Sequence, residues 1–235
     1  MGKLLLMLYS VLSYLMFLLS FVYAIGFVGN VLVPKGIDQG TTYPLLNSII
    51  IDVLLLGLFA IQHSVMARPV FKKLWTKIIP HAVERSTYVL LASLILLLIF
   101  WQWRPMTGVV WDVRGTLAEP VLWALFALGW VVVLLSTFMI GHFDLFGLKQ
   151  AYDNWQDTAF SKPHFKNPGF YKLVRHPIMT GFIIAFWATP VMTLGHLLFA
   201  VVTTAYMVIA IRIEEHDLVA MLGKAYLEYP NTYPL

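Results

Sequence analysis

The chain has 235 residues, 60% hydrophobic and only 12% charged, about half the charge of an ordinary soluble domain, which excludes a water-soluble globule. It has no cysteine, which removes disulfides, thiolate nucleophiles, zinc ribbons and iron–sulfur clusters. The net charge of +4 does not point to nucleic acid, because every charge but Asp52 lies outside five apolar stretches, the partition a bilayer imposes on a chain that threads it repeatedly.

Those stretches are 4–28, 45–67, 86–103, 120–141 and 177–211. A spanning helix needs about 20 residues, so each of the first four predicts one span. The first is too long for a signal-peptide core of about 7–15 residues and reads as a retained span. The second carries Gln62 and His63, and an intramembrane imidazole must find a partner or line a cavity. Asp52, in the same span, reads as a structural hydrogen-bonding group. Trp101, Trp103 and Trp111 suggest an interfacial aromatic belt. The last stretch suits two short spans, about 178–193 and 197–213, divided at Pro190 and Thr193–His196, with His196 an interfacial loop residue. The expected fold is an all-α integral membrane protein of about six transmembrane helices, the last two a tight hairpin. No repeat or soluble domain interrupts it, so 1–235 reads as one membrane domain.

Loop charge sets the expected orientation. A cytoplasmic N-terminus puts Lys3, the basic loops 68–85 and 142–176, Arg212 and Lys224 inside, leaving only Lys35, Arg104 and Arg114 outside. Both termini are then cytoplasmic. The 142–176 loop is too long for a mere connector. With the C-terminal extension, in which the last span continues as a helix, it directs function to the inner face.

Three polar clusters lie there. Leaving the fourth span, His142 and Asp144 sit two residues apart, as a base with its orienting partner would; Asp144 could equally cap a helix and His142 snorkel. Next come Tyr171, Arg175, His176 and Pro177, followed by Gly181. Pro177 suits a helix first turn, which sets Arg175 and His176 beside unpaired backbone donors that favour an anion; the segment also reads as a basic anchor before a helix. Last come Arg212, Glu214, Glu215 and Leu218, then Gly223, Tyr226 and Tyr229. Here a carboxylate could bind ribose hydroxyls and tyrosine faces an adenine or sulfonium, or the helix is simply amphipathic with an Arg212–Glu215 pair.

Arg175-His176-Pro177 with Gly181, then Glu214-Glu215, Leu218, Gly223, Tyr226 and Tyr229, resemble the cofactor half of the isoprenylcysteine carboxyl methyltransferase superfamily, although the usual aromatic two residues after the proline is Met179 here. Residues 141–150 with Gln62-His63 further resemble the bacterial methanethiol S-methyltransferases and their NnrU-like relatives. The resemblance implies an S-adenosylmethionine-dependent enzyme of the bacterial inner membrane that converts methanethiol to dimethyl sulfide. It implies a cofactor-binding half within 142–235, where the cytoplasmic loop and C-terminal helix form the pocket. Arg175, His176 and the Pro177 helix would take the cofactor carboxylate, with Gly181 in that helix, Glu214 or Glu215 the ribose, and Tyr171, Tyr226 or Tyr229 the adenine and sulfonium. The thiol would need a base, for which His142 with Asp144 is the first candidate and His63 the second. A prenylated carboxylate or lipid headgroup is the alternative acceptor, and a membrane haem protein or transporter the alternative class. Beyond the bilayer, no metal, nucleic acid or obligate protein partner is expected.

Overall fold

The computed structural model describes residues 2–158 and 168–222, the last five as backbone only. In chain order the elements are α1 (Lys3–Gly29), α2 (Leu45–Ala67), α3 (Pro69–Trp75), α4 (Glu84–Gln102), β1 (Val109–Asp112), α5 (Ala118–Ile140), α6 (His142–Leu145), α7 (Leu148–Trp155), α8 (Pro177–Trp187), β2 (Val191–Thr193) and α9 (Leu194–Leu222). Short 3-10 turns stand at His81–Val83 and Gly169–Lys172. Among the described residues five helices, α1, α2, α4 with its preceding turn, α5 and α9, are long and apolar enough to cross a membrane. The chain is a multi-pass, all-α membrane protein. Its described residues gather into two compact units, one from 2–106 with 142–158, the other from 107–141 with 168–222. Residues 142–158, which the resemblance assigns to the cofactor half, thus belong with the N-terminal helices.

In the first unit α1 packs on α4 and α4 on α2. The pattern on α1 inverts that of a soluble helix: Leu8, Leu12, Leu15 and Leu19 point outward, while Ser10, Ser13 and Ser20 are buried. Lipid gives apolar side chains no reason to hide, so small residues line the contact and let the backbones approach. Ser86 of α4 donates to Ser10 Oγ at 2.8 Å. Its backbone N lies where a Cβ on Gly147 would stand, 2.6 Å away, and Gly147 has φ +89°. Only glycine serves the turn that seats α7 against α1 and the His81–Val83 turn.

The far end of this unit is closed by the α1–α2 loop. Lys35 Nζ donates to the carbonyls of Trp101 (2.6 Å) and Trp103 (2.8 Å), capping the last turn of α4, where a cation also suits the helix dipole. Burial pushes the Lys35 pKa down, with Asp52 opposing the shift. Asp52 is fully buried and accepts from Arg104 N at 3.0 Å, a structural bond of the kind its position suggests. Of the three belt tryptophans in the sequence reading, Trp101 is exposed and Trp103 is buried.

The second unit is ordered by the α5–α8 crossing. A Cβ on Gly129 would stand 2.6 Å from Gly181 O and Ala185 N, and one on Gly181 2.7 Å from Gly129 O, so two glycines let the backbones touch. The expected helical hairpin is present with one short arm. Pro190 bars Thr189 from helical geometry, and α8 ends at Trp187 after 11 residues, about 16 Å at 1.5 Å per residue. The chain continues extended into β2, which pairs antiparallel with β1 just before α5 (Val109↔Thr193, Asp112↔Val191). Trp111 Nε1 donates to Thr189 O at 3.1 Å. His196 is not a loop residue: it is fully buried in the first turn of α9, with Nε2 at 2.9 Å from Phe186 O, so it ties the two arms together. From there α9 runs back along the unit until Glu215 meets Arg175 at the start of α8.

Candidate functional site

In the second unit, Pro177 is the first residue of α8, is fully buried, and follows His176 as the residue before the helix. Its fixed φ starts the helix at once, so Arg175 and His176 stop at its mouth. Because α9 outlasts its apolar stretch, it delivers Glu214 and Glu215 to the same place. Glu215 Oε1 accepts from Arg175 Nη1 and lies 3.2 Å from His176 Nε2. Glu214 Oε2 stands 3.8 Å from His176 Nδ1 and is half exposed. The Arg175 and His176 side chains are each 10% exposed. Arg175 Nε is buried and has no acceptor among the described residues. The cluster therefore combines a nearly buried guanidinium that still has a donor to give, an imidazole between two carboxylates, and one carboxylate open to solvent. Such a set can hold a ligand bearing both an anionic group and hydroxyl or ammonium groups.

The remaining residues expected there divide. Glu215 is taken by Arg175 and His176, and Arg212 is exposed. Gly181 stands in the crossing with Gly129 and has a packing role. Tyr171 is half-buried in the Gly169–Lys172 turn, and that turn docks on the end of α5 through Phe170 N, 3.4 Å from Met139 Sδ. Tyr226 and Tyr229 lie outside the described residues, as does Gly223.

Two histidines of the first unit, His142 and His63, sit in similar pairs with tyrosines. His142 follows Gly141, whose left-handed conformation (φ 103°) ends α5, and is buried at the start of α6. Its Nε2 lies 2.7 Å from the hydroxyl of Tyr14 on α1, with Phe146, Phe143 and Phe17 edge-on around the ring. Burial lowers the His142 pKa from the 6.5 ordinary for histidine. Asp144 is exposed and accepts instead from Gln150 Nε2 at 2.7 Å, so the group at the imidazole is Tyr14 and not the expected Asp144. His63 stacks on Phe59 and places Nε2 2.8 Å from the hydroxyl of Tyr88 on α4. Its Nδ1 is buried without a partner among the described residues, and the neighbouring Gln62 Nε2 contacts Met66 Sδ at 3.2 Å. Sequence reasoning passed over Tyr14 and Tyr88. Their signal was available, since a phenol hydroxyl inside an apolar span needs a polar partner as much as an imidazole does.

No family model and no solved structure matches the chain. It is 53% identical over 229 residues to the methanethiol S-methyltransferase of Mycobacterium tuberculosis, covering 97% of this chain and 94% of that protein. It is 53% identical over 234 residues to methanethiol S-methyltransferase 2 of Bradyrhizobium diazoefficiens, covering 100% and 90%. A Nurim homolog of Drosophila pseudoobscura is more distant, 32% identical over 177 residues, covering 72% of this chain and 69% of that one. With half its residues shared along almost its whole length, the chain belongs to the methanethiol S-methyltransferase family.

Proposed function

We propose that this chain transfers a methyl group from S-adenosylmethionine to methanethiol, giving dimethyl sulfide, at the cytoplasmic side of a bacterial inner membrane. The cluster of Arg175, His176, Glu214 and Glu215 carries this reading, together with what the relatives are named for. The residues present fit the donor: the unfilled Arg175 Nε suits its carboxylate, and half-exposed Glu214 suits ribose hydroxyls or an ammonium. Tyr171, with Tyr226 and Tyr229, would supply aromatic faces to the adenine and the sulfonium. Once bound, S-adenosylmethionine supplies an electrophilic methyl group.

What the chain itself must do is orient the acceptor and remove its proton. Orientation alone can account for much of the acceleration of an in-line displacement. A thiol with a pKa near that of cysteine is only about 3% thiolate at pH 7, so a base helps. His142 takes the thiol proton in this reading. Its lowered pKa keeps the imidazole neutral, and Tyr14 holds Nε2 in place. Asp144 supports the α6–α7 turn through Gln150, and His63 with Tyr88 is the second candidate pair.

The test is to incubate the purified chain with methyl-labelled S-adenosylmethionine and, separately, methanethiol, a larger thiol, prenylcysteine and phosphatidylethanolamine. Labelled dimethyl sulfide is expected from methanethiol. Transfer to prenylcysteine or to the amino-lipid alone would replace the acceptor, and absence of both transfer and cofactor binding would remove the enzyme reading.

A further inference from the structure

The connection between α2 and α4 is built as a surface helix. α3 starts at Pro69, two residues after α2 ends, and further turns carry it to Ile79 (Lys77 N to Leu74 O, Ile79 N to Trp75 O). One side presents Val70, Leu74 and Ile78 at four-residue spacing, 73%, 56% and 76% exposed, with exposed Lys73 and Lys77 beside them. That is the face of a helix lying in a membrane interface. The opposite side carries Lys72 and Trp75, one turn apart, while Arg68, just before the helix, donates from Nε to Ser64 O of α2 at 3.2 Å.

Two further cations act on Lys72, Arg85 at the start of α4 and Arg68, against the single opposing charge of Glu84. Burial first, and then Arg85, hold the Lys72 pKa below the ordinary lysine range. The Arg85 guanidinium stands 6.0 Å from the Tyr88 ring centroid. Trp75 Nε1, one turn from Lys72, is buried with no acceptor among the described residues. Crowded cations and an unfilled donor ask for an anion, and the apolar stripe beside them asks for acyl chains. An anionic phospholipid supplies both.

We propose that α3 lies in the membrane interface and that Lys72, Arg85 and the Trp75 N–H hold the headgroup phosphate of an anionic phospholipid. The full chain, purified in detergent, would be titrated with phosphatidylglycerol and phosphatidylcholine of equal acyl length and the retained lipid read by native mass spectrometry. Retention of phosphatidylglycerol about 30-fold better is expected, from two surface cations, falling to within about threefold in the double variant K72Q/R85Q, with no displacement by millimolar inorganic phosphate. Equal retention of the two lipids by the unsubstituted chain would overturn the proposal without recourse to any variant. Unchanged selectivity in K72Q/R85Q would overturn it too, and displacement by inorganic phosphate would make this a free-anion site.

Discussion

His142 is held by the Tyr14 hydroxyl and surrounded by rings, and its protonation has two readable consequences. Burial disfavours the imidazolium, so the folded chain takes up this proton at a lower pH than the 6.5 of an exposed histidine. Below about 6.5 the unfolded chain binds the proton first, and stability falls with pH until the folded pKa is passed. The same group, as base, keeps its active neutral form down to that lower pH. The substitution H142Q is therefore expected to flatten the stability slope in this window, to lower kcat/KM by about 10²–10⁴, and to abolish the acid limb of the pH–rate profile. A limb that persists in H142Q would transfer the role to His63. At this scale the cationic half of the site was legible, because Arg175-His176-Pro177 marks a helix mouth and Glu214-Glu215 an unusual acidic exit from a span. The pairing within it was not: along the sequence Arg212, one turn before Glu215, is the expected partner, and only the return of α9 beside α8 brings Arg175 to Glu215 instead.

Between elements, the α5–α8 crossing brings two backbones into contact at Gly129 and Gly181, and it tests whether backbone contact holds these helices. G129A would raise intrinsic helix propensity by about 1 kcal/mol. It would also set a methyl 2.6 Å from two backbone atoms of α8, which no side-chain rotation relieves. A net destabilisation of about 1–3 kcal/mol is expected, seen as a lower Tm in detergent. G57A on α2, where a Cβ meets nothing within 4 Å, serves as the control and should be neutral or stabilising. If G129A melts at or above the parent, the crossing does not depend on that contact. The spans themselves were legible, since uncharged runs of this length have few other uses. The short arm of the hairpin was half legible: Pro190 announces the break, but the β1–β2 pairing joins two segments of four and three residues far apart in the chain, too short and too distant for alternation to reveal.

Across the whole molecule, the number of crossings decides where the ends lie. The five long apolar helices among the described residues would by themselves leave Lys3 and the end of α9 on opposite sides. The run from Arg175 through α8 and β2, however, begins beside Glu215 near the end of α9 and finishes on β1, next to the start of α5. At about 16 Å of helix plus about 3.3 Å for each extended residue, it covers a hydrocarbon core of about 30 Å and counts as a sixth crossing. Six crossings would return the end of α9 to the side of Lys3, and by the loop-charge rule the basic segment between α2 and α4 would make that side the cytoplasm. The absence of native cysteine makes this directly measurable with single cysteines at exposed positions. T41C and T116C should react with a charged, impermeant maleimide in intact cells, and K77C only after permeabilisation. Labelling of K77C from outside would invert the topology and carry the cluster at Arg175 to the wrong face for a cytoplasmic methyl donor.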